Sequence, residues 1–268
     1  MKNIGSLLLL LAIFLAMVME NAGRTVLAQT TPVPADRRPV VIELFTSEGC
    51  SSCPPADALL KALELKQPVA GAEVIALEEH VDYWNQDGWE DPYSAAEWTI
   101  RQQEYVSKFK GKGPYTPQMI VDGEREFTGN NTRDALESIR AAAQQQLANV
   151  SVTADSGGNP GEPHFQVHVA DMPEPDEKAD VWLAITEDGL QANVGAGENK
   201  GRTLQHAAVV RSLQKIGSIG SKSQAQFSAD PQVKFKSNWK KENLRVVVFV
   251  QDKKTWRILG AAVVKVTA

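Results

Sequence analysis

The sequence predicts an α/β domain over residues 38–150 followed by a small all-β, sandwich-like domain over residues 164–268. Three observations predict this. Apolar runs of strand length alternate with helically spaced apolar residues in the first half; a turn-rich stretch interrupts the chain near residue 156; and beyond it only strand-like runs recur.

The first half unfolds element by element. Arg38 to Phe45, rich in Val and Ile, reads as a buried strand, and Ala58, Leu59, Leu63 and Leu65 recur at helical spacing within Ala56 to Lys66. Ala72 to Leu77, running toward His80, is a second strand. An aromatic, polar loop follows from Asp82 to Pro92. Ser94 with Glu97 three residues later spells a capping box for a helix reaching about Phe109. Gln118 to Val121, the Asp122-Gly123 turn and Glu126 to Phe127 make a hairpin, because Asp-Gly supplies the positive φ angles that a tight turn needs. Asn131 is placed to cap a last helix extending to about Leu147. The order is β-α-β-α-β-β-α.

Residues 151–163, with Gly157-Gly158-Asn159-Pro160-Gly161, have the composition of a linker. Phe165 to Val169, Val181 to Thr186, Leu204 to Val210, Leu244 to Val250 and Ile258 to Val266 then read as strands. No internal repeat is present. Residues 1–28 have the layout of a signal peptide: Lys2, an apolar run from Leu7 to Met19, and small residues at Val26-Leu27-Ala28. That run is short for a membrane span, so no stable anchor is expected after cleavage, and the expected location is the periplasm or the exterior. The formal charge of −5 makes a general nucleic-acid binder a poor fit.

Two cysteines are present, Cys50 and Cys53, in one Cys50-Ser51-Ser52-Cys53 motif, so no disulfide framework staples the fold. A bridge between them would close too short a loop to add much stability through chain entropy. The pair therefore points to chemistry. Pro54 and Pro55 withdraw two backbone donors and place the helix start at Cys53 as N-cap. No cation stands between the cysteines, so a mild reactivity is expected.

Val41 to Pro55 resembles the strand, loop and helix of thioredoxin-like proteins, and Tyr115-Thr116-Pro117 ahead of a strand resembles their cis-proline loop. Phe45 to Asp57, His80-Val81-Asp82-Tyr83-Trp84, Gly88-Trp89, Asp91-Pro92, Tyr115 to Met119 and Gly197 to Arg202 together are similar to the bacterial secreted proteins grouped as domain of unknown function 1223. The thioredoxin resemblance implies a redox-active pair: Cys50 as the exposed nucleophile, Cys53 resolving, and a cis Thr116-Pro117 bond beside them. It also puts Glu43 where such proteins keep a buried acid, able to serve as base for Cys53 with a raised pKa; the plain alternative is an edge glutamate facing water. Partners would be thiols or disulfides of exported proteins, and no cofactor is needed.

A second reading takes Cys50, Cys53 and His80 as metal ligands, since copper chaperones of this fold combine a cysteine pair with a histidine. Against it, a histidine beside Asp82 suits a hydrogen-bonded structural role. A third reading leaves the fold as a binding scaffold without catalysis. Tyr83, Trp84 and Trp89 read as loop aromatics capping the core, and Arg202, His206 and Arg211 as surface residues.

Overall fold

In the computed structural model the described residues are 37–111, 113–155, 163–173, 178–220 and 226–266. The expected signal peptide and most of the expected linker lie outside them.

β1 (Arg38–Thr46) leads through the cysteine loop into α1 (Pro54–Lys66), and β2 (Ala72–His80) follows. A short 3-10 turn at Asn85–Asp87 precedes α2 (Ala96–Phe109); β3 (Gln118–Val121) and β4 (Arg125–Thr128) form the hairpin, and α3 (Thr132–Ala142) closes the half. β1 and β2 are parallel, and β3 runs antiparallel on the other side of β1. The helix starts follow local chemistry: Cys53 is the α1 N-cap with proline behind it, and the Asn131 side chain accepts from the Asp134 N–H. The capping box expected at Ser94 is not made. Ala95 is the N-cap, and the Ser94 hydroxyl instead donates to the Asp91 carbonyl at 2.8 Å. At the hairpin, Asp122 and Gly123 have φ of 46° and 67°, as the tight turn demands.

The second half contributes β5 (Asn149–Asp155), β6 (His164–Ala170), β7 (Ala179–Glu187), β8 (Leu190–Asn193), β9 (Thr203–His206), β10 (Val209–Ile219), β11 (Phe227–Ala229), β12 (Leu244–Asp252) and β13 (Ile258–Lys265). Three expectations need correction. The last helix, expected to reach about Leu147, stops at Ala142, and residues 149–155, with 151–155 expected as linker, are a strand. The run from Leu204 to Val210 splits into two strands where Ala208 takes a φ of 56°. Most consequentially, the later strands do not form an independent sandwich: one eight-stranded mixed sheet runs β13-β12-β7-β10-β2-β1-β3-β4, with β10 parallel to the edge of β2 through Val209 and Glu78. β10 pairs with β2 at its carboxyl end, and further back the side chains of Gln67 and Glu64 occupy the β2 edge, at Val74 and at the Ala76 N–H, so that it is not left open to foreign strands.

Strand alternation sorts the side chains into layers. Val40, Ile42 and Leu44 of β1 and Val74 and Ala76 of β2 meet α1 and α3. Val41, Phe45, Ile75 and Leu77 meet α2 on the opposite face, in a core shared with Ala184 of β7 and Val247 and Phe249 of β12. The three-stranded sheet β11-β6-β5 packs its Val152, Phe165 and Val167 against Val181, Leu183, Val246 and Val248. The functional consequence is at the carboxyl ends of the parallel pair: β1 and β2 finish side by side, Thr46 opposite His80, where crevices in such sheets form.

Candidate functional site

Cys50 and Cys53 are joined in a disulfide at the first turn of α1. The loop that holds them is tied locally: the Cys50 N–H donates to the Ser47 carbonyl and the Cys53 N–H to the Cys50 carbonyl, both at 3.2 Å. Ser52 Oγ lies 3.3 Å from Cys50 Sγ. Thr116-Pro117 is cis, as expected. Trp84 Nε1 donates to Thr116 Oγ1 at 2.8 Å. Gly129 keeps Pro117 against the first turn of α1, since a Cβ there would stand 3.1 Å from both Pro117 Cβ and Ala56 Cβ and 2.8 Å from Leu44.

The exposed nucleophile expected at Cys50 is not observed. Ser51 and Ser52 face solvent, but both cysteines are buried. The turn between β8 and β9 is fastened onto the backbone of this loop. Asn199 Nδ2 donates at 2.9 Å to the carbonyls of both Glu48 and Cys50, Asn199 Oδ1 accepts from Arg202 Nη1, and the Ser51 N–H donates to Glu198 Oε2. Gly195 in this turn presses against the Trp89 ring and Gly197 against Trp89 Cβ, where an added Cβ would come within 3.1 and 3.4 Å.

Glu43 is buried but misplaced for the expected role. As an odd-numbered β1 residue it shares the face of Val41 and Phe45, under α2, whereas Cys53 begins the helix on the opposite face. Its carboxylate accepts from Arg101 Nε at 2.5 Å and from the Tyr105 hydroxyl, with Glu79 beside them. Burial and the Glu43 charge hold Glu79 well above the usual carboxylate range.

The acid that lies on the Cys53 side is Asp57, one helical turn on, whose N–H donates to the Cys53 carbonyl at 3.1 Å. Asp57 Oδ1 accepts from Thr46 Oγ1 at 2.6 Å. Burial, with the charge of Glu78, raises its pKa to about 7.

Next to it stands a buried polar cluster built from three parts of the chain. Period-two alternation puts Glu78 and His80 on the α1 face of β2, and the end of β9 delivers His206. His206 Nδ1 lies 2.7 Å and Nε2 3.1 Å from Glu78 Oε1 and Glu48 Oε1. His80 Nδ1 lies 2.7 Å from Asp91 Oδ2, which also accepts from the Glu48 N–H at 2.8 Å. His80 is thus partnered with Asp91, not with Asp82, whose carboxylate accepts from Thr99. Trp89 Nε1 donates to Glu48 Oε2 at 2.7 Å, and the Ala207 N–H to Glu78 Oε2 at 3.0 Å. Burial disfavours charge on both imidazoles, yet the carboxylates win. Asp91 and Glu78 raise His80 well above the usual range, and Glu78 and Glu48 raise His206 to about 9. Burial would push Glu78 up, but the two histidines bring it down to about 2.

The ligand set Cys50, Cys53 and His80 does not converge: the sulfurs are bonded to each other, and His80 turns its nitrogens toward Asp91 and Glu78. His206 is a core residue, not a surface one, and nothing in its local sequence marks it; Arg211 instead stacks over Tyr93 and Trp239.

The family model described as protein of unknown function DUF1223 matches residues 41–251, which include the cysteine loop, Asp91, Asn199 and His206. The chain belongs to this family. It is similar to a crystal structure of a protein from Agrobacterium tumefaciens at 27% identity, with a TM-score of 0.64 over 85% of this chain and 94% of that one. It also shares its fold with HBP35 of Porphyromonas gingivalis, at 14% identity and a TM-score of 0.63, over 86% of this chain and 76% of that one. No curated protein matches it. Among the described residues no helix is long and apolar enough to cross a membrane.

Proposed function

We propose that this DUF1223 protein is an exported thiol-disulfide oxidoreductase of thioredoxin-like build, working through Cys50 and Cys53 beneath a cover contributed by Asn199. The observation that carries this reading is the bridge at the first turn of α1 with Asp57, of pKa about 7, one turn behind Cys53.

In the reduced protein the Cys50 thiolate attacks one sulfur of a partner disulfide, and the other partner sulfur leaves as a thiolate and takes up a proton. Cys53, deprotonated by Asp57, then attacks Cys50 Sγ. The second partner sulfur leaves in turn, the Cys50–Cys53 bridge closes, and two electrons have passed to the partner. Run in reverse, the same steps oxidise a partner dithiol. Ser52 Oγ is positioned to steady sulfur charge at Cys50, while Pro54 and Pro55 offer no N–H to do so.

Removing the resolving thiol tests the scheme. Cys53→Ala should accumulate mixed disulfides with exported proteins, visible on non-reducing gels and lost on adding reductant, and Cys50→Ala should trap little. Asp57→Asn should still form the mixed disulfide and release it more slowly. Equal trapping by the two cysteine variants would overturn the division of roles. A bridge that resists both a glutathione buffer and dithiothreitol in the native protein would leave the fold as a scaffold.

A further inference from the structure

We infer that Glu78, His80 and His206 form a binding site for a divalent transition-metal ion of the zinc class, separate from the cysteine pair and independent of its redox chemistry. Glu78 Oε1 is the point of convergence, 2.7 Å from His206 Nδ1 and 3.3 Å from His80 Nε2, and the three donor atoms all lie within 4.8 Å of one another. A tetrahedral zinc ion holds its ligands at about 2.0–2.2 Å, which sets neighbouring donors about 3.3 Å apart. Of the three pairs, His80 with Glu78 already has that spacing, His206 with Glu78 has to open by roughly half an ångström, and the two histidine nitrogens, within 4.8 Å of each other, set how far the rings must turn.

The second observation is His80 Nε2. It is fully buried and makes no hydrogen bond, its one polar neighbour being Glu78 Oε1 at ion-pair distance, 3.3 Å. A buried nitrogen lone pair or N–H left without a partner is costly, and an ion between the three groups would satisfy it. Each ligand is also held from behind as metal ligands are. His80 gives its other nitrogen to Asp91, His206 gives its other nitrogen to Glu48, and the second oxygen of Glu78 accepts from the Ala207 N–H. Charge points the same way: the carboxylates of Glu48, Asp57, Glu78 and Asp91 are buried around two imidazoles. Two imidazoles and one carboxylate make a borderline donor set that suits zinc and its first-row neighbours better than calcium or magnesium. Three protein ligands leave a fourth position. The half-buried Tyr93 ring packs edge-on at 5.5 and 5.6 Å on the two imidazoles.

The test uses the full chain with its bridge closed, dialysed against zinc chloride alone, with bound metal counted by mass spectrometry. One zinc ion per chain at micromolar free zinc is expected. His80→Gln and His206→Gln should each weaken binding at least tenfold, while the Cys50→Ser/Cys53→Ser double variant should keep it. Absence of stoichiometric zinc, binding indifferent to both histidine variants, or binding that disappears with the cysteines would each overturn the site. Because buried histidine variants can fail to fold, nitrogen NMR of the wild type gives a second reading: the chain has four histidines, and zinc should shift the ring signals of His80 and His206 but not those of His164 and His168. Shifts confined to His164 or His168 would overturn it equally. None of these outcomes depends on the oxidoreductase reading, which is tested at Cys50 and Cys53.

Discussion

Adjacent residues of β2 serve two different networks. Glu78 faces α1 and the histidines, while Glu79, one step on, faces α2 and meets Arg101. The same alternation moves Glu43 away from Cys53. That sidedness is legible in the sequence, because Ile42 and Leu44 flank Glu43 on the α1 face, and the thioredoxin resemblance, which puts an acid at this point of the strand, does not carry it. A related buried acid, Asp122, gives a test of stability against pH. Burial pushes its pKa to about 8 from an ordinary 3.8, although Val41 N–H donates to it at 2.7 Å. The folded state thus prefers the protonated form. Its contribution is fully present below about pH 4 and is lost as pH rises toward 8. Asp122→Asn keeps an acceptor for Val41, tolerates the φ of 46°, and should flatten this slope. We expect a gain on the order of 2 kcal/mol at pH 9 and little change at pH 4, read from urea midpoints. Identical slopes for variant and wild type would refute it.

At the scale of elements, the turn between β8 and β9 is the piece that closes the disulfide. Two neutral hydrogen bonds from Asn199, at about 1 kcal/mol each, hold it over Glu48 and Cys50. Asn199→Ala should accordingly speed reduction of the bridge by dithiothreitol on the order of tenfold, measured by thiol release. An unchanged rate would mean that this turn does not limit access. What the sequence made legible here was local: the Cys53-Pro54 helix start, the Asp122-Gly123 turn and the Asn131 cap each depend on residues within four positions. What it hid was distant. Asn199 reaches Cys50 across 149 residues and His206 reaches Glu78 across 128, and no spacing rule carries over such separations.

For the whole molecule, the eight-stranded sheet makes the two halves one mechanical unit, and Arg101 sits at its hinge of charge. Its guanidinium is paired with Glu43 and Glu79 of the first half and lies 5.8, 5.6 and 5.6 Å from the ring centres of Trp182, Phe249 and Trp256 of the second. Arg101→Met would strand the buried Glu43 carboxylate and should cost about 3–5 kcal/mol, with adding Glu43→Gln recovering much of it. Thermal unfolding of both variants should remain a single transition. Two transitions, with only one displaced, would show that the halves melt apart. The sequence suggested separate domains because each half has its own texture; the pairing of β10 with β2 is set by tertiary packing that composition does not report.

The burial of the cysteines by Asn199 also has a history in time. A chain that emerges from its amino end presents Cys50 and Cys53 well before residue 199 exists, a delay of roughly 7 to 30 s at ordinary rates of synthesis. During that interval the two thiols stand uncovered. An oxidant that meets the chain before the turn around Asn199 has folded into place finds both thiols open, and the finished fold guards whatever bridge it has made.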